Sequence, residues 1–214
     1  MLIPLEKRLK KRLHIDVGLL QDEMVEVVYG LDGKAVLHGG TAIWRCYQGN
    51  RFSEDLDFYI RKNKRIENRF AEKVQRHGLH LLKFKKTANL CFAKVSNEGV
   101  EVRLEMNFSS KKKGTVKPFE RVDGSLSNVL TLEPKELIVE KMQAYKNRRF
   151  VRDLYDVFFL TRHVEKPAGI RKEVQAFLQG IKKPVDEKNL KTIVFSGAIP
   201  SFEQMLQGIK GAFK

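Results

Sequence analysis

The chain is poor in cysteine. It has two in 214 residues, Cys46 and Cys91, and neither stands in a CxxC or other metal-ligand spacing. That excludes a disulfide framework and a cysteine zinc site, and both read as small buried hydrophobes of a reducing compartment. Long apolar runs are also missing. No segment approaches the ~18 apolar residues of a membrane span, and the basic start, MLIPLEKRLKKRLHID, carries no apolar h-region or cleavage site. The expectation is a soluble, cytoplasmic protein with no membrane partner. Internal repeats and low-complexity tracts are absent as well. Acidic residues are outnumbered, 26 Asp+Glu against 41 Lys+Arg, for a formal charge of +15. Such an excess says nothing about fold but favours polyanionic partners. The 42% hydrophobic content is enough for a core, on a length that suits one large domain or two small ones.

Against this basic background Asp55 and Asp57 form a local acidic island. They lie in AVLHGGTAIWRCYQGNRFSEDLDFYI, residues 35–60, which reads as a strand, a Gly39-Gly40-Thr41 turn, a helix and a second strand. A glycine turn feeding a helix N-terminus presents backbone N–H groups to an anion. On an extended strand, residues i and i+2 point the same way, ~6.6 Å apart along the chain. Two carboxylates aimed at one point favour protonation of one unless a cation neutralises them. Aspartate is a poor strand former, yet Leu56, Phe58 and Tyr59 mark a core strand. The pattern points to a magnesium ion bridging two carboxylates and a nucleoside triphosphate held by glycine amides, with Mn²⁺ as the alternative ion.

Helical spacing is expected over 5–12 and 16–29, the latter with a stripe of Leu19, Leu20, Met24, Val27 and Val28. Residues 64–77 read as a basic amphipathic helix closed by Gly78. Strands are expected over 80–85, 89–95 and 100–108, the last alternating Val100, Val102, Leu104, Met106 and Phe108 against Glu101, Arg103, Glu105 and Asn107. Glu105, on that polar face, is the candidate third carboxylate, with Glu101 the alternative; the bland account is a Glu–Arg pair with Arg103. Residues 109–130 are polar, basic and Gly-containing, and read as a linker. From Thr131 the pattern is helical: to about Arg149, then 152–162, 168–180 and 201–212.

On the first of these helices Lys141 shares a face with Leu137, Ile138, Ala144 and Tyr145, and Arg148 follows on the same face. A lysine there can snorkel, or point into a cleft at a phosphate. In VRDLYDVFFL, Asp153 can cap a helix and Arg152 can pair with Asp156 at i,i+4. His38, His77 and His80 have no evident ligand partners. The Lys/Arg-rich stretches 61–86 and 111–121 suit a solvated face or a phosphate backbone, and the aromatic–basic interleaving of an RNA-recognition module is not visible.

The segments GGTAI and RFSEDLDF resemble the glycine-pair and RxSxDxDF pattern of AbiEii/AbiGii-type nucleotidyltransferase-like toxins, within the DNA polymerase β superfamily. KMQAYKNRRFVRDLYDVFFL is similar to that family's second signature, so the resemblance covers roughly residues 30–165. It implies a toxin encoded beside an antitoxin, with some members modifying the tRNA 3′ end. It also implies that Gly39, Gly40 and Thr41 hold the triphosphate with help from Ser53, and that Asp55 and Asp57 bind Mg²⁺. Lys141 would contact the nucleotide phosphates, and Asp153, as a base, would complete the cleft with Asp156 supporting it. The superfamily usually has Gly-Ser where this chain has Gly-Gly-Thr, which leaves open how Thr41 meets the phosphates.

The sequence therefore leads to an α+β fold. A nucleotidyltransferase-like mixed β-sheet with flanking helices, residues 1–125, precedes a helical domain, 126–214, that closes the cleft. The expected activity is Mg²⁺-dependent transfer from an NTP to an RNA acceptor, tRNA first. A protein AMP- or UMP-transferase and a non-catalytic RNA-binding protein on the same scaffold are the rivals.

Overall fold

In the structure, a computed structural model, residues 3–109, 111–165 and 167–214 are described. The chain forms two compact units. One runs to Cys46 and resumes from Phe52 to Leu132; the other is built from Tyr47–Arg51 and Glu133–Lys214.

The first unit holds helices α1 (Leu5–Arg8), α2 (Arg12–Leu31), α3 (Gly39–Cys46) and α4 (Ile66–Arg76). Its strands are β1 (Val36–His38), β2 (Leu56–Ile60), β3 (His80–Lys86), β4 (Leu90–Asn97), β5 (Val100–Phe108), β6 (Thr115–Glu120) and β7 (Leu126–Thr131). They form one mixed sheet in the order β3-β4-β5-β2-β1-β7-β6. The β2–β5 and β1–β7 pairs are parallel, and the other neighbours antiparallel. Alternation decides the faces. Leu56, Phe58, Ala93, Val95, Val102, Leu104 and Met106 are buried on the side where α2 meets β5 and α4 meets β3. Asp57, Tyr59, Arg103, Glu105 and Asn107 occupy the opposite face.

Three expectations need correction. The stretch 109–130 is not a linker, since it carries the antiparallel β6–β7 pair; residue 110 lies outside the described residues. Lys117 and Pro118 disguise β6, which is an edge strand, and edge strands tolerate both. A boundary at 125/126 would sever this pair. The first helical stretch is only one turn long, because Leu9 adopts an extended conformation and turns inward, 6% exposed. On α2, Leu20, Met24, Val27 and Val28 are buried as the periodicity predicts, but Leu19 is 45% exposed.

The second unit comprises α5 (Pro134–Arg148), α6 (Val151–Leu160), α7 (Arg171–Gln179), α8 (Leu190–Ile193) and α9 (Phe202–Ala212). Glu133 and Glu136 form a capping box at the start of α5, with Pro134 in its first turn. Arg149 ends the helix in the left-handed region, φ 54°, which turns the chain into α6 within two residues. Ser201 and Gln204 form a second box on α9. Gly208 lets α9 approach α6 closely: a Cβ there would fall 2.4 Å from the Phe158 ring. Among the described residues, no helix is long and apolar enough to cross a membrane.

Candidate active site

The acidic island lies at the start of β2, and three local devices shape it. Gln21, buried on α2, donates from Nε2 to the carbonyls of Ser53 (2.9 Å) and Glu54 (3.1 Å), pinning the loop that precedes the aspartates. The Thr41 hydroxyl donates to the Asp55 carbonyl at 2.6 Å and is fully buried. Its side chain thus positions Asp55. Gly39 has φ +73°, and a Cβ on it would lie 2.2 Å from Asp57 Oδ2. Only glycine fits there. The first turn of α3 and the Asp57 carboxylate therefore come together, as the glycine–aspartate pattern requires.

Register brings in the third carboxylate. Asp57 pairs with Glu105 across the parallel β2–β5 ladder, so the two side chains stand on adjacent strands of one face, about 4.8 Å apart in backbone spacing. Glu105 Oε1 accepts a hydrogen bond from Asn107 at 2.9 Å. Glu101 is four residues away on β5 and pairs with Lys94, which takes it out of this cluster. Asp55 lies just ahead of β2, and its carboxylate is held by Arg103 through Nε (2.8 Å) and Nη2 (3.2 Å). Arg103 does pair with carboxylates on this surface, most closely with Asp55 and, at 4.0 Å, with Glu54.

Three carboxylates make a hard-oxygen donor set that fits Mg²⁺ or Mn²⁺, and Gly39 leaves room beside Asp57. Arg103 draws Asp55 aside. Among the described residues, the one group of three acidic or histidine ligand atoms gathered within 4.8 Å is Glu23, Glu26 and His77, so Asp55, Asp57 and Glu105 are not drawn that close together. In that group His77 pairs with Glu23, and Arg121 with Glu26.

The second unit holds a buried charge cluster. Asp156 accepts from Arg51 Nε (2.5 Å) and Nη2 (2.6 Å), and Lys141 Nζ lies 2.8 Å from it. Asp153 accepts from Arg148 Nε (2.7 Å) and Nη2 (2.8 Å), with Lys141 3.6 Å away. Both aspartates are 0% exposed, and Lys141 is 8% exposed. Burial alone would raise the Asp156 pKa; Arg51 and Lys141 reverse this and hold its carboxyl below the usual range. Burial opposes the charge on Arg51 too, yet Asp156 pushes that pKa up.

Three cations thus share two carboxylates. Lys141 is not snorkelling; it turns inward, as its helical face predicts. Both oxygens of Asp153 are engaged by Arg148, and Lys141 lies beside them. Asp153 caps no helix through its side chain. The expected Arg152–Asp156 pair is replaced by Arg51–Asp156, while Arg152 packs over the Phe150 ring, 5.6 Å from its centroid.

Sequence reasoning missed Arg51 and the Asp55 partner Arg103. The first had a signal, since Arg51 opens the RFSEDLDF motif. The second depends on strand register, which no local pattern reveals.

Comparison with known proteins follows this geometry. The chain is similar to JHP933 from Helicobacter pylori (22% identity, 90% of this chain and 88% of that one, TM-score 0.62). It is also similar to MenT4, a nucleotidyltransferase toxin from Mycobacterium tuberculosis (18% identity, 96% and 85%, TM-score 0.65). A third similar structure is a putative nucleotidyltransferase from H. pylori (21% identity, 90% and 91%, TM-score 0.56). These likenesses establish the fold as nucleotidyltransferase-like. No curated protein matches the chain significantly. The profile of the nucleotidyl transferase AbiEii toxin family, from type IV toxin–antitoxin systems, matches residues 24–212. The chain belongs to that family and is a nucleotidyltransferase.

Proposed function

We propose that the enzyme transfers a nucleotide from an NTP to an RNA acceptor, with the tRNA 3′ end first in line, as the toxin of a toxin–antitoxin pair whose antitoxin is its partner. The observation that supports this most directly is the meeting of Gly39 with Asp57, and of Asp57 with Glu105, on one face of the sheet. Nucleotidyltransferases generally use a divalent metal with their NTP, and Asp55, Asp57 and Glu105 would hold it here. Bound there, Mg²⁺ would neutralise phosphate charge and lower the pKa of the attacking hydroxyl.

The amides of Gly39, Gly40 and Thr41 at the head of α3 would receive phosphate oxygens, beside Ser53 on the loop pinned by Gln21. The acceptor hydroxyl attacks the α-phosphorus in line, the bond to the β-phosphate breaks, and pyrophosphate leaves. Glu105, oriented by Asn107, would take the hydroxyl proton. In the helical unit, Lys141 and Arg148 are the cations that the family resemblance would assign to nucleotide phosphates.

The test is incubation with each labelled NTP and total RNA. Label should enter RNA with the wild type and vanish with Asp55→Ala/Asp57→Ala. Persistence of label in that double variant removes the site. Label that survives ribonuclease and migrates with protein identifies a protein acceptor instead.

A further inference from the structure

Aromatic and basic residues that do not interleave along the chain do so across the sheet. The register lines up Lys85 on β3, Phe92 on β4, Glu105 on β5, Asp57 on β2 and His38 on β1, each the direct partner of the next. A second row runs beside it, Lys83, Lys94 and Arg103. At about 4.8 Å per strand, Phe92 stands one step from Glu105 and about 10 Å from Asp57.

Phe92 itself calls for an explanation. On β4 the buried positions are Cys91, Ala93 and Val95, so Phe92 points to the polar face, half-buried between Lys85 and Glu105 in its row. Lys83 Nζ lies 6.0 Å over its ring. Lysines on an edge strand discourage sheet-to-sheet pairing, and that accounts for Lys83 and Lys85. It does not account for an aromatic ring between cations and carboxylates. A base stacked on a ring and phosphates on flanking lysines is the general solution for binding a single strand.

We propose that this face binds the 3′ segment of a single-stranded RNA acceptor, with a base on Phe92 and upstream phosphates on Lys83 and Lys85. Its terminal hydroxyl then arrives at Asp57 and Glu105. This rests on the RNA-transfer reading above, and it adds the acceptor's path and the direction in which it lies.

The test separates the two. Binding of a short fluorescent single-stranded RNA is measured by anisotropy in EDTA without NTP, alongside the melting temperature of each variant. Phe92→Ala should weaken binding about tenfold at unchanged melting temperature, and Phe92→Trp should restore it. Lys83→Gln with Lys85→Gln should flatten the salt dependence by one to two phosphate contacts, about 0.7 in slope for each. In the transfer assay Phe92→Ala should raise KM for RNA and leave KM for NTP unchanged. Wild-type affinity in a folded Phe92→Ala overturns the proposal. Phe92-dependent binding by a wild type that transfers no nucleotide from NTP to RNA supports this surface and overturns the transfer reading instead.

Discussion

Arg103 grips both carboxylate oxygens of Asp55 from the neighbouring strand β5. A divalent cation that uses Asp55 has to displace at least one of those two bonds, so pairing and metal binding oppose each other. Arg103→Gln should therefore tighten metal binding. The pair is half exposed, 54% for the Arg103 side chain and 34% for Asp55, and such pairs contribute roughly 1 kcal/mol at most. The expected gain is about fivefold or less, read by titrating Mn²⁺ into wild type and variant by calorimetry. Unchanged or weaker binding would mean that Arg103 orients Asp55 for the metal.

Gly39→Ala should abolish transfer. It forces a side chain into the left-handed region, at about 1–2 kcal/mol, and drives a carbon against Asp57. Gly33→Ala is the matched control, because a Cβ there meets nothing within 4 Å. Melting temperature and labelling together decide the point: Gly33→Ala should resemble wild type in both.

Thr41→Val should act through Asp55, since the hydroxyl it removes is bonded to the Asp55 carbonyl. The expected stability loss is about 1 kcal/mol, with weakened metal affinity. Thr41→Ser keeps the hydroxyl and should recover most of both. If Thr41→Val instead alters NTP binding alone, the hydroxyl serves the phosphates.

Asp156→Asn leaves Arg51 and Lys141 buried without their shared carboxylate. Breaking such a pair costs about 3–5 kcal/mol, measurable by urea unfolding at pH 7. The same group sets an acid limit. Its folded pKa lies below the unfolded value of 3.8, so its stabilisation is fully present above that value. It is lost as pH falls through the folded pKa. Wild type should lose more stability than Asp156→Asn between pH 4 and pH 2.

Both thiols are buried, and burial pushes Cys46 up to about 12. Neither should react with a thiol reagent at pH 8 in the folded protein, and both should do so in urea. Fast labelling of the native protein would contradict the packing of α3 and β4.

Much of this was legible in the sequence. The helices α4, α5, α6 and α9 announce themselves by periodicity and caps, and β5 by its alternation. The carboxylate pair stands out because aspartate is a poor choice for a core strand, and the glycine turn because it feeds a helix N-terminus. The partners of those groups were not legible. Asp156 finds Arg51 at a separation of 105 residues, and Arg103 finds Asp55 only once β5 aligns with β2. The β6–β7 hairpin hid because an edge strand need not look hydrophobic. Phe92 looks like a core residue until its register places it on the outer face.

The excursion of Tyr47–Arg51 into the helical unit has a practical meaning for dissection. A fragment cut after Leu132 would lose Asn50, which accepts from the Tyr155 hydroxyl at 2.5 Å, and the backbone bridge between Arg51 and Val194. It would also lose the guanidinium that neutralises Asp156. The two halves are therefore interlaced in sequence: no single scission frees the helical one intact, and a transplant of its function has to carry a five-residue loop from upstream.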